Sequence, residues 1–373
     1  MKLVCLQNNL KKGLAIVSHI NNKNINLPIL NNILIRANEA GVELISTNLE
    51  MGITHQLRGK VEDFGEITID SKLFSDYVNL LPEDKVEFLS EKLDINIKCG
   101  NYKTKMKGED AKEFPLIPII DKNDCCSLNI FDFKKAVSSV VFSVASSDNR
   151  MELSGVYFKF NDKKLILAAT DSYRLAEKSV DLKDSSIKDK DIIVPAKTVN
   201  EVLRIISSVT SDVKNLDSDL INICISDNQI LFSFSSVELI SRTINGQYPD
   251  YKQIIPDKYK TEAEISKEDF LRAVKASSVF SKNGIYDVSL VFHKKNLNIY
   301  SSSNQIGESS IDIPCDFSGD DNDIAINYRY VLDALNVIEG ETVSLKVINN
   351  NTPCQISSPN DESYLYIIMP IRN

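Results

Sequence analysis

The 373-residue chain has no tryptophan, three histidines and no CxxC pair. Each scarcity excludes a class of chemistry. His19, His55 and His293 fall in unrelated places, no HExxH is present, and no histidine neighbours a candidate nucleophile, so neither a zinc hydrolase nor a serine–histidine relay is indicated. The pattern GxxxxGK[ST] is also missing, which removes the phosphate loop of nucleotide hydrolases. No apolar run approaches the roughly 18 residues that would span a bilayer. The start MKLVCLQNNL lacks the basic region, apolar core and small-residue cleavage site of a signal peptide, so a cytoplasmic protein is expected. Cys5, Cys99, Cys125, Cys126, Cys224, Cys315 and Cys354 are odd in number and scattered. They are expected to be buried thiols, not a disulfide framework or a zinc knuckle. No cofactor is expected.

What is present is a repeat. Three amphipathic helices carry the face i, i+3, i+4, i+7: Leu10, Gly13, Leu14, Val17; Phe133, Ala136, Val137, Val140; Phe270, Ala273, Val274, Ser277. The second position is small each time, which lets the helix lie close against a sheet. Asn129 and Ser266 are candidate helix caps, each followed three residues later by an aspartate. After each helix come two strand-like runs around a turn, at 33–38 and 42–46, 156–160 and 165–170, and 288–292 and 297–301. A second helix follows with the same face: Phe74, Tyr77, Val78, Leu81; Val199, Val202, Leu203, Ile206; Val331, Ala334, Leu335, Ile338. Further strands close each third before a proline, at Phe114-Pro115, Tyr248-Pro249 and Met369-Pro370. The expected fold is α+β, with six helices on continuous antiparallel sheet in three like domains, 1–122, 123–256 and 257–373. The extra length of the middle copy, 210–219, reads as a surface loop.

The net charge of -9 opposes a nucleic-acid partner only if charge is spread evenly. It is not. The six helices carry eleven basic residues (Lys11, Lys12, Lys72, Lys134, Lys135, Lys197, Arg204, Lys267, Arg272, Lys275, Arg329) against six acids (Asp76, Asp132, Glu201, Glu268, Asp269, Asp333). A basic residue opens every second helix, at Lys72, Lys197 and Arg329. Basic helices on one side of an acidic chain fit a polyanion held on that side. An enzymatic reading rests on Asp171, Ser172 and Arg174, but Ser172 lacks the glycines of a nucleophile elbow, and Asp171 with Arg174 reads as a turn-stabilising ion pair.

Four motifs in order on this repeat carry a resemblance. They are Asn26-Leu27-Pro28-Ile29-Leu30, Ala169-Thr170-Asp171-Ser172-Tyr173-Arg174-Leu175-Ala176, Gly246-Gln247-Tyr248-Pro249-Asp250-Tyr251 and Tyr366-Ile367-Ile368-Met369-Pro370-Ile371-Arg372. From end to end the chain resembles the bacterial β sliding clamps of DNA polymerase III. The resemblance implies a non-catalytic processivity factor: a head-to-tail homodimer of six domains, a ring whose twelve helices face duplex DNA without sequence preference. It also implies that the ring tethers the replicative polymerase, the clamp loader and other replication and repair proteins through short linear motifs. Topological retention explains how an acidic protein can hold DNA through weak phosphate contacts.

By the same resemblance the DNA-facing candidates are Lys23, Lys72, Ser147, Arg150, Lys197 and Lys282; the basic residue common beside Lys23 is here Asn24. The partner-peptide pocket is expected at Arg150, Leu153, Thr170, Ser172, Tyr173, Arg174, Leu175, Pro249, Ile254, Tyr330, Ile367, Met369, Pro370, Ile371 and Arg372, as an apolar cleft with Arg174 and Arg372 holding peptide carboxylates and carbonyls. Tyr173 stands where several relatives have His, and Gln253 where some have Arg. Ring closure is expected between the edge strand at 103–107, with Lys103, Lys105 and Met106, and the strand at 305–312, with Val279 and Phe280 adding apolar contacts. The competing reading is a protein-interaction scaffold with no DNA role.

Overall fold

The computed structural model describes residues 1–20, 27–146, 150–210, 219–281 and 284–371. Six α-helices lie among them: α1 (Gln7–Val17), α2 (Ser71–Leu80), α3 (Ile130–Ser138), α4 (Ala196–Thr210), α5 (Lys267–Ser278) and α6 (Tyr328–Val337). The first third supplies β1 (Lys2–Leu6), β2 (Asn32–Asn38), β3 (Gly41–Thr47), β4 (Met51–Leu57), β5 (Gly59–Asp63), β6 (Gly65–Asp70), β7 (Lys85–Glu91), β8 (Asp94–Cys99) and β9 (Tyr102–Lys107). The middle third supplies β10 (Cys125–Asn129), β11 (Gly155–Phe160), β12 (Lys164–Thr170), β13 (Arg174–Asp181), β14 (Asp184–Ser185), β15 (Lys190–Pro195), β16 (Leu220–Ile225), β17 (Gln229–Phe234) and β18 (Val237–Arg242). The last supplies β19 (Thr261–Ser266), β20 (Asp287–His293), β21 (Asn296–Ser303), β22 (Gly307–Gly319), β23 (Asn322–Asn327), β24 (Thr342–Val347), β25 (Cys354–Ser357) and β26 (Tyr364–Ile368). Here β22 does as one strand what β4 and β5 do as two.

The helices form where periodicity and caps coincide. Asp269 N donates to Ser266 Oγ (3.3 Å), Leu73 N to Asp70 Oδ1 (2.7 Å) and Arg329 N to Asn327 Oδ1 (2.9 Å), satisfying backbone donors that the helix itself leaves open. The expected faces are buried: Leu10, Leu14 and Val17, Phe133 and Val137, Phe270 and Val274 are all in the core. Burying each phenylalanine contributes about 1.5–3 kcal/mol. Gly13 is small for a reason. A Cβ there would lie 2.8 Å from His55 Cδ2 and 2.9 Å from Leu44 Cδ1. In α4 Val199, Val202 and Ile206 are buried as expected, while Leu203 is half-buried and Ile205 completes the face.

All strand pairs are antiparallel, in three sheets: β5-β1-β7-β8-β9; β14-β10-β16-β17-β18-β4-β3-β2-β6; and β15-β11-β12-β13-β26-β25-β24-β19-β22-β21-β20-β23. By contact density the chain groups into two compact units. Unit 1 comprises Met1–Ile130, Lys183–Ser186 and Glu201–Thr243, and unit 2 comprises Phe131–Leu182, Ile187–Asn200 and Ile244–Asn373. The reason is strand pairing across the sequence repeat. In unit 1, β18 lies on β4 with Val237 opposite His55; in unit 2, β26 lies on β13 with Tyr364 opposite Lys178. The middle third therefore gives strands to each unit. The expected loop 210–219 falls almost wholly outside the described residues.

One expectation is overturned. Cys125 and Cys224 form a disulfide, across 99 residues of sequence, because β10 and β16 place them directly opposite each other. Cys5, Cys99, Cys126 and Cys354 are buried free thiols as expected, and Cys315 is partly buried. Among the described residues no group of His, Cys, Asp or Glu is arranged to hold a metal, and no helix is long and apolar enough to cross a membrane.

Candidate partner-binding and DNA-facing sites

The turn from β12 to β13 sets the geometry of the candidate peptide site in unit 2. Thr170 Oγ1 donates to Arg174 O (2.6 Å) and accepts from Ser172 N (3.1 Å), while Asp171 Oδ1 accepts from Tyr173 N (2.9 Å) and Arg174 N (3.0 Å). These bonds hold Ser172 at φ +77°, a left-handed conformation that a serine adopts only when its neighbours compensate. Tyr173 is thrust outward, 65% exposed, and its carbonyl accepts from Met369 N (2.8 Å), which ties the chain's last segment to the turn. Arg150 Nη1 reaches Ser172 Oγ (3.3 Å), and its Nε donates to Glu152 (3.0 Å).

Arg174, expected to hold peptide carboxylates and carbonyls, is engaged within the chain. Its side chain is 11% exposed and makes three bonds within the chain: Nε donates to Asp171 Oδ2 (3.0 Å), Nη1 to Asp333, and Nη2 to Phe142 O (2.7 Å). Its Cζ sits 4.5 Å from the Tyr330 ring centroid. Three of its five N–H donors are held in these bonds, which fix it as part of the wall of the site. The Asp171–Arg174 ion pair anticipated from the turn is present.

Beneath the turn a buried cluster joins Leu153, Ala168, Leu175, Ile193, Tyr248, Tyr251 and Ile367. Leu153, Leu175 and Ile367 are fully enclosed, so they form the floor and offer a ligand no free surface. Tyr157 stacks on Tyr248 (centroids 4.9 Å apart), and the Tyr251 hydroxyl donates to Glu177. The accessible members are Arg150, Ser172, Tyr173 and Ile254, with Pro249, Tyr330, Met369, Pro370 and Ile371 half-buried. Thr170 is buried by its turn bonds, and Arg372 lies outside the described residues. The site is thus an apolar shelf with aromatic and backbone edges.

Three domain models of one family match the chain: DNA polymerase III beta subunit, N-terminal domain at 1–118, central domain at 127–250 and C-terminal domain at 252–372. The chain belongs to the DNA polymerase III beta subunit family. Similar proteins include a beta sliding clamp of Staphylococcus epidermidis, 29% identical over 93% of this chain and 92% of that one, and a beta sliding clamp of Bacillus subtilis, 28% identical over 93% of each. The crystal structure of the DNA polymerase sliding clamp from Bacillus subtilis superposes with a TM-score of 0.93 at 28% identity, covering 100% of this chain and 99% of that one. This is a sliding clamp, a non-catalytic processivity factor of DNA replication, which accounts for the absence of any assembled catalytic group at Asp171 and Ser172.

Clamp function directs attention to the basic helix residues. Lys72 and Lys197 are exposed at the second position of α2 and α4, and Arg150 is exposed. Arg329, at the same place in α6, has its Cζ 3.5 Å from the Tyr286 ring centroid. Lys23, Ser147 and Lys282 lie outside the described residues. Arg204 is engaged otherwise: it donates to Ala15 O (3.0 Å) and Ile16 O (2.7 Å) near the end of α1 and pairs with Glu201 (2.7 Å). Arg272 pairs with Glu268 (2.6 Å), so the helices present less free positive charge than the sequence count implies.

At the expected clamp interface Lys103 and Lys105 are exposed on β9, with Lys105 Nζ 2.7 Å from Asp94. The Met106 side chain is 7% exposed and points into the core, because it has the same parity as the inward face of β9. Val279 is 64% exposed, while Phe280 is half-buried, its ring 3.8 Å from where a Cβ on Gly307 would sit. Leu73 and Leu80, exposed on α2, went unremarked in the sequence. The helix-two repeat could have found them, since Leu73 aligns with Tyr330. A groove of about 680 Å³ lies elsewhere, in unit 1, where Ile45, Ile117 and Ile240 line it.

Proposed function

We propose that two copies of this chain join head to tail into a ring around duplex DNA, and that replication and repair proteins dock short peptides on the shelf around Tyr173, Pro249, Ile254, Met369 and Ile371. One observation carries the ring. Of three like strand junctions, two are closed within the chain, β18 on β4 and β26 on β13. The third pair, β9 and the first half of β22, is left open: β9 ends its sheet, and Gly307–Pro314 pairs only with β21. A second copy supplies the missing partner for each, and covering both edges removes the association hazard that each presents.

The closed junctions also give a register. Thr47 pairs with Gly52, Thr170 with Leu175 and Ser302 with Glu308, so Gly52, Leu175 and Glu308 are equivalent. Gly52 faces Ile240 and Leu175 faces Ile367. Carried to the third junction, Lys105 of one copy lies opposite Glu308 of the other and Lys103 opposite Ser310, with Asp312 diagonal to Lys103. Leu73 and Leu80 of α2 then meet the region of Val279.

The DNA role is supported by Lys72, Lys197 and Arg150, which contact phosphate in this reading and so confer no sequence preference. Lys23, Ser147 and Lys282 remain candidates from the resemblance. The test is solution mass, followed by loading onto nicked circular DNA and linearisation. A dimer retained on the circle and released by the cut supports the ring; a monomer, or equal retention on both forms, favours the scaffold reading. Cytoplasmic location follows from this function.

A further inference from the structure

The Cys125–Cys224 bond stands apart from every other cysteine. Cys126 and Cys354 are buried among apolar groups that push their thiols up to about 12, which leaves them inert as nucleophiles. Cys125 is only half-buried, at the first position of β10, immediately after the connecting segment 114–124. The bond lies within a ladder that does not depend on it. Ile225 N donates to Asp124 O (2.9 Å) on one side, and Cys126, Ser127, Leu128 and Asn129 pair with Ile223, Asn222, Ile221 and Leu220 on the other. The two strands therefore hold the sulfurs opposite each other whether or not they are joined. A staple needed for folding belongs where nothing else fixes the geometry; here hydrogen bonds already fix it.

The pair also has something to act on. Cys224 and Cys125 pack in one cluster with Ile120 and Ile117 of the connecting segment and with Leu231 and Ile240. Ser186 Oγ accepts from Cys125 N (2.8 Å) and donates to Asn123 O (2.7 Å), joining the segment's end to the same place. We propose that Cys125 and Cys224 are a reversible thiol–disulfide pair, oxidised by a low-molecular-weight disulfide, which fastens the connecting segment 114–124 to the sheet of unit 1. The clamp reading enters only through the compartment, since disulfides in a reducing cytoplasm are characteristically transient and redox-sensing.

The exchange balances with oxidised glutathione. The Cys125 thiolate, the more accessible, attacks one glutathione sulfur; the S–S bond of glutathione breaks and the first glutathione thiolate leaves. The Cys224 thiolate then attacks the Cys125 sulfur, forming the protein disulfide and releasing the second glutathione thiolate. Both cysteine protons end on the released glutathiones, and two electrons pass from the cysteine pair to glutathione.

The test uses the full-length native protein in glutathione buffers of graded ratio, without DNA, so that its outcome is independent of ring closure. Maleimide labelling read by mass spectrometry should show Cys125 and Cys224 changing together at one midpoint with the circular dichroism unchanged. Cys224→Ser should trap one glutathione on Cys125. Trypsin cleavage after Lys122, an exposed residue of the segment, should quicken by about threefold or more on reduction, and a Cys125→Ser/Cys224→Ser protein should be cut at that faster rate in every buffer. Resistance to reduction until guanidinium unfolds the protein would make the bond a permanent staple. Thiols that stay reduced at any glutathione ratio would remove the site, and reversible oxidation with unchanged cleavage would remove its control of the segment.

Discussion

At the first junction β18 lies on β4 and at the second β26 lies on β13, and the two agree down to single hydrogen bonds. Thr47 Oγ1 donates to Met51 O and accepts from Leu49 N, as Thr170 Oγ1 does with Arg174 O and Ser172 N. Leu49 is held at φ +73° where Ser172 has +77°. Arg242 N donates to Glu50 O where Met369 N donates to Tyr173 O. The difference lies in what fills the space above. Gly52 leaves a hollow into which Ile117 descends, within 2.8 Å of where a Cβ would be; at the second junction Leu175 fills the equivalent place from the sheet, and the tyrosines of the following segment lie across Tyr157. One backbone frame thus gives a junction plugged by its own connecting segment and another with an open shelf. Specialisation resides in side chains of equivalent position.

The largest expected effect comes from exchanging Arg174 for its first-junction counterpart, Met51. Arg174→Met leaves Asp171 and Asp333 without the cation that Asp171 Oδ2 and Asp333 Oδ2 now share. Arg174 and Asp171 are mostly buried but Asp333 is 41% exposed, so removing the cation costs about 3 kcal/mol, the low end for breaking a buried pair. Chemical denaturation should show this loss, and Arg174→Met/Asp333→Leu should recover part of it. A cost below about 1 kcal/mol would mean that solvent, not the network, carries the charges.

Acid should separate the two regions next. His55 and Lys178 occupy equivalent places, each about 8% exposed. Burial holds the His55 imidazole down to about 4, with a bond from Ser236 opposing it weakly. Since the unfolded chain takes up this proton near pH 6.5 and the folded one does not, stability is complete above pH 6.5 and falls as pH drops toward 4, by about 3 kcal/mol, then levels off. Lys178 instead pairs with Asp361 (2.6 Å); burial pushes that carboxyl up, but the Lys178 and Ser363 bonds together outweigh it and hold the carboxyl below its ordinary range. That contribution is present above pH about 4 and lost only below it. Proton NMR of the His55 ring, with His55→Gln as control, checks the first; a pH midpoint for His55 near 6.5 would refute it.

Gly52→Leu copies Leu175 into the plugged junction. The new side chain meets Ile117, and overpacking costs about 1–3 kcal/mol. Gly52→Leu/Ile117→Ala should be more stable than Gly52→Leu alone, with the coupling read from a double-mutant cycle of melting curves. Additive costs would show that the two residues do not compete for the same space.

Helix faces were legible because a period of 3.6 is local, and so were the hairpins whose turns are two to four residues long. What escaped depended on distant partners. The role of Arg174 turns on Asp333, 159 residues away, and the Cys125–Cys224 bond on a register that no spacing reveals. The inward turn of the Met106 side chain escaped for a different reason: an edge strand has two faces, and naming the strand does not say which residues point outward. Leu80 is 79% exposed, an odd place for a leucine until its helix is compared with α4 and α6, whose counterparts Ile205 and Val337 are covered or partly covered.

The smallest effect tests the junction the chain leaves open. If the internal register extends to a second copy, Lys105→Glu places like charges opposite Glu308 at both interfaces of the dimer. Exposed pairs contribute about 0.2–1 kcal/mol each, so two together weaken dimerisation roughly tenfold, and the loss shrinks as salt screens it. Glu308→Lys should do the same, and Lys105→Glu/Glu308→Lys should restore the dimer, as measured by sedimentation. Lys105 and Glu308 also make contacts within the chain, to Asp94 and to Tyr300, so only the reciprocal rescue is diagnostic. Rescue by Glu308→Lys but not by Asp312→Lys would fix the register to a single residue. Rescue by Asp312→Lys alone would shift the strands from it and break the equivalence among the three junctions.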